Sequence, residues 1–306
     1  VEQLTKTVTL YNFAHPQGHD LPEWTAGAHL DLVVSPEFLR PYSLLSDPAD
    51  RSAYQIAVLR EDAGRGGSTM LHRIFTQGRR VFVSKPVNHF DLVEDAGHSL
   101  LMGGGIGITP MIAFAHRLHK IGQPFDLHYS APTRQAAAFA NILNTQPWSS
   151  RVRLHFSDEG TRIDLPRVMQ SARDGTHVYT CGPDAYMQSV IAAATDAGIP
   201  EEARHLEYFS TPEVPEYVNH PFTLRLSSGR EINVGPTQTA SDALIAAGVT
   251  VDIKCSDGIC GVCKCGVTDG AVEHRDFVLS AKQRKDAMIL CQSRAADPNG
   301  IVEIDL

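Results

Sequence analysis

The feature that most constrains this 306-residue chain is a cluster of cysteines, because four of its six cysteines lie in the stretch CSDGICGVCKC at 255–265. Cys255, Cys260 and Cys263 follow the spacing C-x4-C-x2-C, and Cys291 supplies a distant fourth thiol. This is the ligand spacing of plant-type [2Fe–2S] sites. Glycines in the loop, such as Gly258, let the backbone approach a cluster closely. The spacing therefore predicts a [2Fe–2S] cluster held by these four cysteines.

A disulfide, a zinc site and a chance set of buried thiols are the alternatives to a cluster in this loop. Disulfides suit an exported protein, and the N-terminal VEQLTKTVTLYNF lacks the regions that define a signal peptide. Zinc usually takes two Cys-x-x-Cys pairs, whereas only Cys260 and Cys263 form one here. A chance set of buried thiols is not expected at this density. We interpret Cys265 as a small, partly buried thiol outside the ligand set.

The residues around the cysteine loop predict a small β-rich domain. The segment 222–234 alternates and turns at Ser-Ser-Gly, which indicates a hairpin. A helix over 239–248 has Thr239 or Ser241 as its cap, and 301–306 is a closing strand. This arrangement resembles the β-grasp fold of plant-type ferredoxins. The Pro-rich segment 211–221 is typical of a linker into such a domain.

A glycine turn begins the middle of the chain, in LLMGGGIGITPMIAFAHRLHKIG at 100–122. The pattern predicts a buried strand, the turn, and a helix that starts at Pro110 with Thr109 as its N-cap. A glycine turn at a helix N-terminus is suited to bind an anion. The segment is not the G-x-G-x-x-G fingerprint, however, since Ile108 stands in place of the third glycine. A close-packed turn between strand and helix accounts for it equally well.

The segments that follow alternate between strand and helix patterns. Strands are predicted at 126–131, 151–157, 176–181 and 203–209, with helices at 134–143 and 184–198. Such alternation predicts a doubly wound parallel sheet, in which ligands bind beyond the carboxyl ends of the strands. The segments 103–110, 130–134, 157–159 and 181–183 all lie at such ends. Their convergence is stronger evidence for a nucleotide site than the glycine turn alone.

The first ninety residues contain short strands separated by turn residues, which predicts an antiparallel β-barrel. RPYSLL at 40–45 places a cation, an aromatic ring and a hydroxyl in one strand. EDAGRGGSTMLHRIF at 61–75 places glycines and an arginine before a helix, a combination that can bind phosphate. An ordinary barrel aromatic and an ordinary loop account for these two stretches equally well when each is taken alone.

Taken in order, these motifs resemble those of the phthalate dioxygenase reductase family, which includes the vanillate O-demethylase reductases. The series is RPYSLL, GRGGS, GGIGITP, CGP, EYF and the four-cysteine set. The resemblance covers essentially the whole chain. It implies an FMN-binding barrel domain over 1–93, an α/β doubly wound NAD-binding domain over 94–212, a linker at 213–220 and a β-grasp [2Fe–2S] ferredoxin domain over 221–306.

The same resemblance implies site residues. Those expected at the FMN are Arg40, Tyr42, Ser43, Ala57, Val58, Gly64, Arg65, Gly66, Gly67 and Ser68. Those expected at the nicotinamide nucleotide are Gly103, Gly104, Gly105, Gly107, Thr109, Pro110, Cys181, Gly182 and Pro183. The residues implied closest to hydride transfer are Ser43, Thr109, Cys181, Glu207 and Phe209.

The function implied is an NADH-dependent reductase for a Rieske non-haem-iron oxygenase that acts on aromatic compounds. Hydride would pass from NADH to FMN, and single electrons would then pass through the cluster to the oxygenase. Asp158 and Glu159 follow the third parallel strand, where acids accept hydrogen bonds from ribose and repel a 2′-phosphate, which favours NADH over NADPH. Two solvated acids in a turn account for them too. A reductase for a di-iron or haem oxygenase and a plain electron carrier are the alternative functions.

Charge and hydropathy limit the other partners. The formal net charge of −8, without a block of Lys or Arg, predicts no nucleic-acid partner. No run of about 18 apolar residues is present, which predicts no membrane span. A cytoplasmic location is expected. The fourteen histidines predict no metal site, because His116 and His119 lack a third ligand nearby.

Overall fold

The computed structural model describes residues 1–35, 38–64, 66–212 and 217–306. The chain divides into two compact units, Val1–Leu206 and Glu207–Leu306. No helix in these described ranges is long and apolar enough to cross a bilayer.

The amino-terminal part of the first unit is antiparallel. Its elements are β1 (Glu2–Gln3), β2 (Val8–Ala14), β3 (Ala28–Ser35), β4 (Phe38–Ser43), β5 (Ala53–Leu59), α1 (Gly67–Ile74) and β6 (Val87–Asn88). They form two three-stranded sheets with the orders β1-β2-β5 and β4-β3-β6. In β3 every second residue is buried, so that Leu30, Leu32 and Val34 reach an apolar core that β2 and β5 share. The antiparallel barrel predicted from the sequence is confirmed.

The rest of the first unit alternates strand and helix. Its elements are β7 (His98–Gly104), α2 (Ile108–Lys120), β8 (Phe125–Ala131), α3 (Ala140–Asn144), β9 (Val152–Phe156), α4 (Leu165–Gln170), β10 (Thr176–Cys181), α5 (Asp184–Asp196) and β11 (Arg204–Glu207). The sheet has the order β11-β10-β7-β8-β9, and β10, β7, β8 and β9 pair in parallel. The predicted doubly wound sheet is therefore confirmed.

Both faces of the parallel sheet are covered, which explains why β7 is buried along its whole length. Leu101 belongs to the core that contains α2, whereas Leu100 and Met102 belong to the core on the α4 and α5 side. Successive side chains of a strand point to opposite faces, so one apolar strand serves two cores. The parallel sheet and the barrel share the first of these cores.

One predicted helix is wrong. The segment 134–143 forms a 3₁₀ turn at Arg134–Ala136, and the short α3 begins only at Ala140. Between them Ala137 leaves the helical region, with ψ at 78°, and Phe139 is fully buried. Burial of Phe139 in the core outweighs the helix propensity of the neighbouring alanines.

The second unit is the small β-rich domain. Its elements are β12 (Phe222–Leu226), β13 (Glu231–Val234), α6 (Ala240–Ala246), β14 (Lys264–Asp269), β15 (Val272–Glu273), β16 (Ala287–Ile289), β17 (Arg294–Ala295) and β18 (Ile301–Ile304). The main sheet has the order β13-β12-β18-β14-β16. Thr239 caps α6 in a reciprocal capping box with Asp242, as one of the two predicted caps. The predicted hairpin, helix and closing strand are present, and the predicted ferredoxin fold is confirmed.

Candidate functional site

The four predicted cluster ligands lie together in the second unit. Cys260, Cys263 and Cys291 are buried, and Cys255 is half-buried. The Cys255 thiol is within hydrogen-bonding reach of Cys260 and Cys291, and Cys263 is within reach of Cys291. The local spacing brings three of the thiols together, and the turn after β16 adds the fourth.

The backbone of the cysteine loop turns its N–H groups toward sulfur. Three of its residues have left-handed φ values: Ser256 at 58°, Gly258 at 73° and Gly261 at 71°. The Asp257 N–H donates to Cys255 Sγ at 3.3 Å. Positive φ is strained for Ser256, because this residue has a Cβ. The loop holds this strained conformation at a place where its N–H groups can stabilise a thiolate.

The pKa values differ within the four-thiol set: those of Cys255 and Cys263 are lowered, whereas contacts with neighbouring thiols raise those of Cys260 and Cys291. The thiol hydrogen bonds from Cys260 and Cys291, together with backbone N–H groups, lower the pKa of Cys255. The hydrogen bond from Cys291 lowers the pKa of Cys263 to about 7. By contrast, burial and the carboxylate of Asp305 raise the pKa of Cys265 to about 12. Iron binds thiolate, so the raised pKa of Cys265 and its hydrogen bond to Asp305 suit this residue to remain a thiol.

This donor set has the ligand number and type of a [2Fe–2S] cluster. Within the described ranges, no three His, Cys, Asp or Glu side chains converge as they would on a single metal. The four thiols are linked instead by contacts from Cys255 to Cys260 and Cys291 and from Cys263 to Cys291. Cys255, Cys260, Cys263 and Cys291 would hold a [2Fe–2S] cluster, which takes four cysteine ligands.

Two contacts that the sequence did not reveal hold the loop from outside. Gln292 Nε2 donates to the Ser256 carbonyl at 2.8 Å, and the Phe277 N–H donates to the Gly258 carbonyl at 3.0 Å. A Cβ at Gly258 would lie 2.9 Å from the Gln292 side chain. The position of Gln292 directly after Cys291 was the signal for the first contact.

A crevice of about 600 Å³ lies at the carboxyl ends of β7, β8, β9 and β10 in the first unit. It is lined by Gly104, Gly105, Ser130, Ala131, Pro132, His155, Ser157, Arg162, Ile163, Leu165, Pro183, Ala185, Tyr186 and Ser189. Three of the predicted nucleotide residues, Gly104, Gly105 and Pro183, are among them. This is the edge at which doubly wound sheets bind ligands.

Several of the other predicted nucleotide residues pack behind the crevice. A Cβ at Gly107 would lie 2.3 Å from the Cys181 carbonyl group, and one at Gly103 would lie 2.7 Å from Ile108. A Cβ at Gly182 would lie 2.9 Å from Gly104. Cys181 itself is fully buried. Close contacts among the ends of β7 and β10 and the start of α2 thus explain these glycines as packing residues.

Thr109 is not the cap of α2. The helix begins at Ile108 with Gly107 before it, and the buried Thr109 hydroxyl donates to the Ile106 carbonyl at 3.1 Å. The prediction of the helix start is therefore wrong by two residues, because Gly105 and Gly107 already form a 3₁₀ turn that continues into α2. Pro110 is buried in the first turn of α2.

The acids after β9 have different surroundings. Glu159 forms a two-point ion pair with Arg134, at 2.9 Å for both contacts, and Arg134 also lies over the Phe156 ring. Asp158 is exposed and follows Ser157, which lines the crevice.

The sequence analysis did not predict three of the residues that line the crevice, His155, Arg162 and Tyr186. The Gly160 turn after β9 was the signal for Arg162, because it returns the chain to the strand end.

The predicted flavin residues meet at the start of α1. Arg40 lies against Gly67, because a Cβ added at Gly67 would be 3.0 Å from Arg40 Nε. The guanidinium of Arg40 also lies over the Phe38 ring. Gly66 has a φ of 88° and precedes α1, which has no side-chain cap from the described residues. Uncapped N–H groups and a guanidinium form a cradle that fits a phosphate. The Ser68 hydroxyl accepts from the Glu61 N–H at 3.1 Å, Gly64 lies in the turn before it, and Arg65 lies outside the described residues.

The remaining predicted residues differ in accessibility. Burial raises the pKa of Tyr42, which keeps its phenol neutral, while Ser43 at the end of β4 is buried. Ala57 and Val58 are buried in β5, and the Val58 carbonyl is hydrogen-bonded to His72 Nε2 at 3.0 Å. Glu207, the last residue of β11, is half-buried, and Phe209 is exposed.

The chain is similar to several known proteins over nearly its whole length. Residues 225–296 match the family of 2Fe-2S iron-sulfur cluster binding domains. Phenoxybenzoate dioxygenase subunit beta of Ectopseudomonas oleovorans is 40% identical over 289 residues, 93% of this chain and 89% of that protein. Heme-dependent oxidative N-demethylase beta subunit of Ectopseudomonas mendocina is 36% identical over 295 residues, which cover 96% of this chain and 93% of that protein. The structure of phthalate dioxygenase reductase matches with a TM-score of 0.70 and 34% identity, over 100% of this chain and 95% of that one.

Proposed function

Because this chain belongs to the phthalate dioxygenase reductase family, the reductase components of oxygenase systems, we propose that it carries electrons from NADH to a Rieske-type oxygenase in the cytoplasm. The observation that supports the proposal is that one chain contains a nucleotide crevice, a phosphate cradle in the barrel and a four-thiol cluster loop. When bound, a flavin would supply the conversion between two-electron transfer from nicotinamide and single-electron transfer to a [2Fe–2S] cluster. The protein's residues bind and orient these groups and need not act as nucleophiles.

Reconstitution tests the acceptor. The purified protein, NADH and a purified Rieske oxygenase should give substrate oxidation that depends on all three components. The second candidate acceptor is a haem oxygenase, because a relative of this chain is named as a subunit of a haem-dependent N-demethylase. Turnover with a haem oxygenase and none across a panel of Rieske oxygenases would replace the first candidate with the second.

We propose FMN as the flavin, and the Arg40 cradle gives the test. Arg40→Ala removes a charge-assisted contact to the FMN phosphate, so we expect about 10- to 100-fold weaker FMN binding. Fluorescence titration of the flavin-depleted protein measures this. Arg79→Ala is the matched control, because Arg79 also lies over a phenylalanine, Phe75, but at the other end of α1. Chromatography of acid-released flavin distinguishes FMN from FAD, and release of FAD would refute the assignment.

We propose NADH as the donor, with Asp158 as the residue that disfavours NADPH. Asp158→Asn keeps the size of the side chain and removes the charge that repels a 2′-phosphate. We expect the ratio of kcat/KM for NADPH to that for NADH to rise about fivefold, the effect of one exposed charge contact. Asp174→Asn is the control of equal charge, since Asp174 precedes β10 at the opposite end of the strand. A ratio that moves equally in both variants would show that Asp158 has no specific role.

A further inference from the structure

Two histidines form a hydrogen-bonded chain beside the nucleotide crevice. His128 on β8 and His155 on β9 have near-parallel rings, with Nδ1 of His128 3.0 Å from Nε2 of His155. Nδ1 of His155 lies 3.1 Å from the carbonyl oxygen of Thr161. The next residue after this carbonyl is Arg162, which lines the crevice together with His155. These hydrogen bonds thus connect the buried His128 ring to the peptide group that precedes Arg162.

The Thr161 carbonyl determines which nitrogen of each histidine ring carries the hydrogen. A carbonyl only accepts, so Nδ1 of His155 carries the hydrogen. Neutral His155 then has an unprotonated Nε2, which accepts from Nδ1–H of His128. Burial lowers the pKa of both rings, that of His128 to about 4, so both are neutral near pH 7. The arrangement therefore has one defined set of tautomers.

Hydrogen bonds other than that of His155 also close the turn between β9 and Arg162. The Phe156 N–H donates to Thr161 Oγ1 at 2.9 Å, and the Thr161 N–H donates to the Phe156 carbonyl at 3.1 Å. Gly160, with a φ of 69°, allows the tight reversal. The hydrogen bond from His155 adds a contact at the peptide plane between Thr161 and Arg162, and such a contact restricts the direction in which Arg162 leaves the turn.

Arg162 differs in charge from the rest of the crevice. Of the described residues that line the crevice, it is the only Lys, Arg, Asp or Glu. The other polar groups there are hydroxyls, the His155 ring and backbone. A nicotinamide dinucleotide brings negatively charged phosphates, and a guanidinium binds phosphate through two parallel hydrogen bonds. Such binding requires the planar group to be held at a defined angle.

We propose that His128 and His155 are positioning residues that hold Arg162 against a phosphate of the bound nicotinamide dinucleotide. The inference rests on the proposed nucleotide-dependent function and adds the residues that set its affinity. The phosphate is either the pyrophosphate, present in both NAD and NADP, or the 2′-phosphate of NADP alone.

The test compares His128→Leu with His128→Asn in the holoprotein. Leucine removes the donor to His155, whereas the asparagine amide replaces Nδ1–H at nearly the same place. We expect calorimetry to show that Arg162→Ala weakens nucleotide binding about 10- to 100-fold. His128→Leu should cause part of this loss, about tenfold. His128→Asn should bind the nucleotide with the affinity of the wild-type protein. KM for the nucleotide should rise while kcat with ferricyanide stays constant, since a contact made in both ground and transition states is lost. His177→Leu, which breaks the similar pair with His205 on the other side of the sheet, should have no effect.

A double-mutant cycle separates positioning from general stability. In the Arg162→Ala background, His128→Leu should cause no further loss, because its effect passes through Arg162. If His128→Leu loses affinity for both NAD⁺ and NADP⁺, the phosphate that Arg162 contacts is the pyrophosphate. If it loses affinity for NADP⁺ alone, that phosphate is the 2′-phosphate. An unchanged affinity in His128→Leu, or an equal loss with and without Arg162, would overturn the inference. Wild-type protein that binds neither nucleotide would instead refute the proposed function.

Discussion

Cys260→Ser is expected to abolish the [2Fe–2S] cluster and to reduce electron delivery to an oxygenase by more than about 100-fold. Cys260 is buried and its thiol contacts Cys255, so a hydroxyl there removes one of four thiolate ligands and the main partner that lowers the Cys255 pKa. Iron and labile sulfide content and the visible spectrum measure cluster loss. Oxidation of NADH by ferricyanide should continue, since the nucleotide crevice and the flavin cradle belong to the other unit.

Cys265→Ser is the matched control for this prediction. Cys265 lies two residues from Cys263 and is equally buried, but its thiol donates to Asp305 at 3.3 Å. A serine hydroxyl can make the same hydrogen bond, so the cluster and electron delivery should be retained. Cluster loss in Cys265→Ser with retention in Cys260→Ser would show that the ligand set is wrongly assigned.

Gly107→Ala is expected to lower the free energy of unfolding of the first unit by about 3 kcal/mol, the upper range for overpacking. An added Cβ would lie 2.3 Å from the carbonyl carbon and oxygen of Cys181 and 2.5 Å from the backbone nitrogen of Gly182. These are backbone atoms at the end of β10, so relief requires α2 and the strand to separate. The melting temperature should fall by about 6–12 °C for a unit of this size.

Gly105→Ala provides the comparison for this loss of stability. Gly105 has a φ of 55°, and no heavy atom of the described residues lies within 4 Å of the place that a Cβ would take, so its cost is one left-handed residue, about 1 kcal/mol. Differential scanning calorimetry of the two variants separates steric overlap from backbone strain. Equal losses of stability would show that the contact between Gly107 and Cys181 does not hold the turn.

Local patterns in the sequence were sufficient to predict that the cysteines of the 255–265 loop lie together and to predict the order of the elements. The ligands Cys255, Cys260 and Cys263 are close along the chain, so their spacing alone nearly fixes their geometry. The alternation of β7 to β11 with helices predicted the parallel sheet, because that pattern has few other solutions. Helix 134–143 failed because the burial of Phe139, a tertiary contact, outweighed local propensity.

The sequence by itself determined that this chain has a four-cysteine loop, a doubly wound sheet and a barrel, since each follows from short-range spacing or periodicity. Only the tertiary structure decided which residues face the crevice. Arg162 lines it, Glu159 is paired with Arg134, and Gly107 packs against Cys181. The physical reason is that the crevice is built from the ends of four strands that are distant in sequence. Which side chain points inward there depends on contacts between strands and on the turns that follow them, and no local pattern encodes these contacts.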